Sequence, residues 1–124
     1  MKTIQTSAAP AAIGPYSQAK VVGNMLFTAG QIPLDPQTME IVQGGIEEQT
    51  RQVLKNLDAV LAEAGASWGN VVKTTVFMTN LGDFGAFNSV YESHLKGAKP
   101  ARSTVQVAAL PKAAAIEIEL IAEV

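Results

Sequence analysis

The chain has 124 residues with nine Lys and Arg, eleven Asp and Glu, one His and no Cys. This length predicts one domain over residues 1–124. The net charge of −2 provides no basic surface for a phosphate backbone, so we do not expect nucleic acid as a partner. The lack of Cys excludes disulfides, thiolate zinc sites and a cysteine nucleophile. With one His and no Cys we expect no metal, and without a Walker or Rossmann glycine pattern we expect no organic cofactor.

The hydrophobic fraction is high for a small domain, at 48%. Small domains have a large surface to cover, so this content favours burial of apolar area against partner chains. The first residues contain no apolar segment typical of a secretion signal, and no later run approaches about 18 apolar residues. We expect a cytoplasmic oligomer that does not enter membranes.

The first half of the chain predicts a β-hairpin followed by an amphipathic helix. Two strand-like segments, Ala19–Val22 and Met25–Ala29, flank Gly23-Asn24, a dipeptide that favours a tight two-residue turn. A further short strand is predicted near Lys2–Gln5. From Ile46 to Ala64 the apolar residues recur at helical spacing, and Gly65 follows the last of them.

The second half predicts a strand, a helix and two more strands. Val71–Thr79 is rich in β-branched residues, and Asp83 can cap a helix that continues to Leu95. Strand patterns follow at Arg102–Ala108 and Ala115–Ala122. The order ββ-α-β-α-ββ predicts an α+β sandwich, with two helices on one face of a mixed sheet of about six strands. The other face needs cover, which a partner chain can supply.

The last strand places two carboxylates on one face. Glu117 and Glu119 alternate with Ile116, Ile118 and Leu120. A solvated strand face is the common explanation of such a pair. The pair is therefore weak evidence for a site when taken alone.

The preceding strand carries an arginine on a face that reads as polar, because Arg102 alternates in step with Thr104 and Gln106. The planar guanidinium group can hold both oxygens of a small carboxylic acid. A surface ion pair is the simpler explanation without further context. Spacing leaves open whether Arg102 and Glu117 meet within one chain or across an interface.

Two glycine-containing turns are further candidates. Gly14-Pro15 would hold the ring of Tyr16 in a fixed place, and Gly30 permits close approach to the backbone. Each is more often a turn than a site. The single histidine, His94, is expected at the surface near the C-terminal end of the second helix, where it would interact with the helix dipole.

Four blocks of this sequence, in order along nearly the whole chain, resemble the RidA/YjgF family of reactive intermediate deaminases. The fourth block is the most specific, because it combines an arginine, a turn and a glutamate strand at the spacing that the family uses. The blocks are Ala12–Gln18, Phe27–Pro33, Val72–Phe77 and Pro100–Ser103, the last continuing through Leu110-Pro111-Lys112 to Ile116–Glu119.

The resemblance implies a chorismate-mutase-like fold and a homotrimer whose sheets form a central barrel, with a site in each cleft between subunits. It implies that Arg102 binds the carboxylate of a 2-imino or 2-oxo acid and that Glu117 positions water or the leaving amine. Tyr16, Gly30 and Asn88 would complete the pocket, with Ala29 and Thr104 as further binding residues. The implied reaction is cofactor-independent hydrolysis of 2-iminobutanoate or 2-iminopropanoate to the 2-oxo acid and ammonia.

Two features depart from the family pattern. Ala29 stands where many members have Ser, and the segment Lys96–Lys99 is short relative to members that have a longer loop there. Both features bear on the range of substrates. Two other functions remain open: a regulatory protein that binds 2-oxo acids without turnover, and RNA cleavage or translation inhibition, which are also ascribed to relatives.

Overall fold

The computed structural model describes all residues from 1 to 124. It contains six strands and two α-helices, joined by short 3₁₀ turns. The elements are β1 (Lys2–Ile4), β2 (Ala19–Val22), β3 (Met25–Thr28), α1 (Ile46–Glu63), β4 (Val71–Met78), α2 (Phe84–Leu95), β5 (Ala101–Gln106) and β6 (Ile116–Glu123).

All six strands belong to one sheet in the order β1-β2-β3-β6-β4-β5. The neighbours pair antiparallel except β4 and β5, which are parallel and joined through α2. The last strand, β6, therefore lies in the middle of the sheet between β3 and β4. This insertion brings Glu117 next to the loop that follows β3.

The hydrophobic core lies between one face of the sheet and the two helices. Leu54 and Leu57 of α1, Phe87 of α2 and Ile116 and Ile118 of β6 are all 0% exposed. The apolar spacing of α1 places its buried residues on one side, as the helical period requires. We call the sheet face that packs against the helices the inner face and the opposite one the open face.

The open face carries apolar side chains that no other element of the chain covers. Phe27 is 44% exposed, Val105 is 42% exposed and Val22 is 52% exposed. The sequence predicted that one face would lack cover, and the structure confirms this. No helix combines the length and the apolar character needed to span a membrane.

The predicted elements agree with the observed ones to within about two residues at each end, which is the usual spread of such boundaries. The hairpin turn is present, with Gly23 at a φ of 59°. Asp83 is the N-cap residue of α2 as predicted, but its side chain makes no capping hydrogen bond. A 3₁₀ turn precedes α2 instead, and Asn80 accepts a hydrogen bond from the N–H of Gly82 at 2.8 Å.

His94 lies in the last turn of α2, as expected, and it makes a further contact that the sequence did not predict. Its Nε2 lies 2.9 Å from both carboxylate oxygens of Asp58 on α1. The same carboxylate accepts a hydrogen bond from Nε1 of Trp68 at 2.6 Å. These three side chains connect α1, α2 and the 3₁₀ turn that precedes β4, a long-range contact that sequence spacing does not reveal.

Candidate active site

Glu117 lies on the open face in the middle of the sheet. Its neighbours in β6, Ile116 and Ile118, point to the inner face and are fully buried. The Glu117 carboxylate is half-buried, and this burial raises its pKa above the usual value for glutamate, with a further increase from the charge of Glu119. A carboxylate with a raised pKa holds and releases protons closer to neutral pH than an ordinary glutamate does.

The loop after β3 passes directly beside this carboxylate. Gln31 pairs with Ile118 through two backbone hydrogen bonds of 2.8 and 3.1 Å, which fixes the path of the chain next to β6. A Cβ atom at Gly30 would lie 2.5 Å from Oε2 of Glu117 and 2.7 Å from its Cδ. Gly30 does not have a positive φ. Glycine therefore leaves room at position 30 for the Glu117 side chain, which packs against it.

Glu117 and Gly30 line a cleft of about 610 Å³. Tyr16 stands at this cleft, half-exposed, in a turn closed by a hydrogen bond of 2.9 Å from its N–H to the carbonyl of Gly14. Ala29 also lines the cleft, where its methyl group offers no hydrogen bond. The remaining lining is largely apolar and comprises Pro10, Ala11, Ile13, Gln31, Ile32, Leu34, Met39, Pro111 and Lys112.

Arg102 lies away from this cleft, on the edge strand β5. Its Nη1 donates a hydrogen bond of 2.8 Å to Oδ1 of Asn88 on α2. Both residues line a second cleft of about 330 Å³, together with Tyr91 and Pro100. The ion pairs of the chain involve Arg51 and His94, so the guanidinium group of Arg102 keeps most of its five N–H donors free for an anion.

Thr104 lies two residues beyond Arg102 on the same face of β5. Its Oγ1 is buried and makes no hydrogen bond. An unpaired buried hydroxyl costs free energy, so such an atom is a candidate partner for a ligand. Thr104 does not line the cleft that contains Arg102.

Arg102 and Glu117 point to opposite faces of the sheet within one chain. Arg102 pairs in register with Thr74, whose side chain is fully buried on the inner face. Glu117 pairs with Phe77, which is adjacent to Val105 on the open face. The face of β5 that carries Arg102 is polar in sequence, yet it is the inner face of the sheet. Side chains of α2 cover this face and contact Arg102.

The predicted site residues thus form two groups. Glu117, Tyr16, Gly30 and Ala29 share the larger cleft, and Arg102 and Asn88 share the smaller one. Thr104 lines neither cleft, although it lies two residues from Arg102 on β5. The sequence did not reveal the aromatic side chains around Arg102, although their spacing along α2 on either side of Asn88 was a usable signal. The structure contains no group of three or more His, Cys, Asp or Glu side chains that could hold a metal ion.

The fold and the two clefts define a small α+β protein with an arginine suited to anions and a carboxylate with a raised pKa. A family model described as endoribonuclease L-PSP matches residues 6–124. The chain belongs to this family, which is also called YjgF/RidA.

Individual relatives agree with this assignment. A RutC family protein of Synechocystis is 56% identical, with 98% of this chain and 95% of the relative covered. The 2-iminobutanoate/2-iminopropanoate deaminase of mouse is 49% identical, with coverage of 98% and 90%. The crystal structure of E. coli TdcF with bound serine has a TM-score of 0.95 at 46% identity, with coverage of 100% and 99%. The fold predicted from the sequence is confirmed by this match.

Proposed function

We propose that this protein hydrolyses reactive 2-imino acids, such as 2-iminobutanoate and 2-iminopropanoate, to 2-oxo acids and ammonia. The observation that carries the proposal is the pair of clefts, one with a guanidinium group that forms no ion pair and one with a half-buried carboxylate. The mouse relative named for this reaction supports the choice of substrate. The serine bound to TdcF supports recognition of a small molecule that carries a carboxylate.

In this proposal Arg102 anchors the carboxylate of the substrate through parallel N–H donors. Asn88 holds one edge of the guanidinium group at 2.8 Å, which leaves another edge for the ligand. Thr104, whose buried Oγ1 has no partner, is a further candidate for binding, two residues from Arg102 along β5. A fixed carboxylate fixes the adjacent imine carbon, so much of the acceleration comes from orientation.

The substrate reacts as the protonated imine, C=NH2⁺. Glu117 accepts a proton from a water molecule as the water oxygen bonds to the imine carbon, and the nitrogen becomes an NH2 group. The proton passes from Glu117 to this nitrogen, the C–N bond breaks, and ammonia leaves with the bonding electron pair. The oxygen then loses its remaining proton to Glu117 or to solvent and becomes the carbonyl of the 2-oxo acid. The reaction consumes one water and needs no cofactor, and the raised pKa of Glu117 suits this exchange of protons. Tyr16 contributes its hydroxyl at the mouth of the cleft.

The two clefts combine when copies of the chain assemble. We propose a homotrimer in which the open faces form a central barrel and each Arg102 meets the Glu117 cleft of a neighbour. The exposed apolar side chains of the open face, including Phe27 and Val105, would be buried there. Analytical ultracentrifugation should give a mass of about three chains.

An imine-lifetime assay tests the reaction. A dehydratase generates the imine from its amino acid, and the rate at which the 2-oxo acid appears is compared with and without this protein. We expect faster hydrolysis that survives treatment with chelators. Tight binding of 2-oxo acids without acceleration would overturn the proposal in favour of a regulatory protein. RNA cleavage that survives Arg102→Ala and repeated purification would instead support a ribonuclease.

A subunit-mixing experiment tests the site between chains. Arg102→Ala and Glu117→Gln are each expected to inactivate the homotrimer. After mixed refolding, a cleft between two random subunits would regain both native residues in about one case in four, so about a quarter of the wild-type activity should return. No recovery in mixed trimers would overturn the shared site, since a site within one chain cannot be restored by mixing.

A further inference from the structure

Arg102 is enclosed by three aromatic rings of α2. Its Cζ lies 4.9 Å from the ring centre of Tyr91, 5.4 Å from that of Phe84 and 5.6 Å from that of Phe87. The rings also contact one another, with centres 6.0 Å apart for the Phe84–Phe87 pair and 5.3 Å apart for the Phe87–Tyr91 pair. A cation over desolvated rings is attracted by their negative faces.

Tyr91 is fixed from the sheet side. Its hydroxyl lies 2.8 Å from Oγ1 of Thr74, and Thr74 pairs in register with Arg102 across β4 and β5. Thr74 is 0% exposed and Tyr91 is 6% exposed, so neither side chain can reorient freely. Burial raises the pKa of Tyr91 above its usual value, although the hydrogen bond to Thr74 and the charge of Arg102 act in the opposite direction.

We propose that Tyr91, held by Thr74, is a positioning residue that fixes the guanidinium group of Arg102 for the carboxylate of the substrate. A free arginine side chain samples many rotamers, and an anion that binds to it must fix them. The three aromatic rings and Asn88 restrict those rotamers before the ligand binds. This inference rests on the proposed role of Arg102, and it adds a residue that does not itself hold the ligand.

The chain provides a direct readout, because Arg51 and Arg102 are its two arginines. In a ¹⁵N spectrum each gives one Nε–H signal, and Arg102→Lys identifies the signal of Arg102. The side chain of Arg51 is 59% exposed, so its signal serves as a reference for a mobile arginine. We expect the Arg102 signal to be displaced by ring currents in the wild type and to move towards the reference in Tyr91→Leu.

Binding of 2-oxobutanoate is measured by calorimetry on the same trimeric proteins. Loss of one desolvated ring should raise the Kd in Tyr91→Leu by roughly tenfold. In the imine assay KM should rise more than kcat falls. Tyr91→Phe keeps the ring and loses the hydrogen bond to Thr74, so its Kd should rise by a smaller factor, about threefold. An unchanged Arg102 signal and Kd in Tyr91→Leu would overturn the inference.

Thr74 provides a second, smaller change in case Tyr91→Leu does not fold. Thr74→Val removes the partner of the Tyr91 hydroxyl, and we expect an Arg102 signal that is shifted or broadened, together with weaker binding. Thr74→Ser keeps the hydroxyl, so its Arg102 signal and its Kd should match those of the wild type. Identical signals and Kd values in Thr74→Val and the wild type would also overturn the inference.

The failure of the proposed function is a separate outcome. If Arg102→Ala binds 2-oxobutanoate as the wild type does, Arg102 does not anchor the ligand, whereas a neutral Tyr91→Leu contradicts only the positioning role of Tyr91.

Discussion

Gly30 and Glu117 lie so close together that a methyl group at Gly30 would stand 2.5 Å from Oε2 of the glutamate. No carbon atom fits at that distance, so any side chain at position 30 displaces the carboxylate. The atoms that would move are at the flexible end of Glu117, whereas the backbone of β6 would keep its place. The contact therefore links a backbone position to the orientation of the proposed base.

Gly30→Ala should reduce imine hydrolysis by roughly tenfold or more, since a displaced base no longer reaches the water. The free energy of unfolding should change by less than about 1 kcal/mol. Gly85→Ala is the matched control, because no atom lies within 4 Å of a Cβ at Gly85 on α2. It should keep full activity and gain about 0.5–1 kcal/mol from better helix propensity. Full activity in Gly30→Ala would mean that the close packing of Glu117 against Gly30 is not needed for catalysis.

Glu117→Gln should change the pH dependence of stability. Because burial raises the pKa of Glu117 in the folded state, the folded protein retains a proton that the unfolded chain has already lost, and stability falls as pH rises through that window. Gln carries no charge and avoids this loss. The Tm of Glu117→Gln should therefore exceed that of the wild type at pH 8, and the difference should shrink towards pH 4.

The matched control for this experiment is Glu63→Gln, which changes an exposed glutamate at the end of α1. It should show no such pH-dependent gain in Tm. A Tm difference for Glu117→Gln that is constant from pH 4 to pH 8 would indicate a packing effect without any contribution from proton binding.

Arg102→Lys should lower kcat/KM by roughly a hundredfold or more, because an ammonium group cannot form two parallel hydrogen bonds to one carboxylate. Circular dichroism and the oligomer mass should not change. Arg51→Lys is the control, since Arg51 forms exposed ion pairs with Glu47 and Glu48 that contribute little. Wild-type turnover and affinity in Arg102→Lys would exclude the parallel hydrogen bonds as the mode of anchoring.

Thr104→Val tests the unpaired hydroxyl at the edge of β5. The substitution keeps the shape and removes a buried Oγ1 that has no partner, so the free energy of unfolding should rise by about 1 kcal/mol. If that hydroxyl binds the ligand, the Kd for 2-oxobutanoate should rise by up to roughly tenfold. A variant that is more stable and binds equally well would remove Thr104 from the site.

The sequence by itself determined the secondary structure and the family. The hairpin follows from Gly23-Asn24, whose glycine has the required positive φ, and α1 follows from apolar residues at helical spacing. These features depend on neighbours within a few residues, which a linear pattern records. The blocks around Arg102 and Glu117 were sufficient to name the family and to select the candidate site residues.

Only the tertiary structure decided which sheet face each candidate occupies. Alternation along β5 and β6 separates two faces but does not say which one packs against the helices, and Arg102 lies on the inner face although its strand reads as polar there. Three other features depend on distant segments. They are the insertion of β6 between β3 and β4, the aromatic rings around Arg102 and the Asp58–His94 contact across 36 positions. Burial of the whole core fixes such contacts together, and no local pattern contains that information.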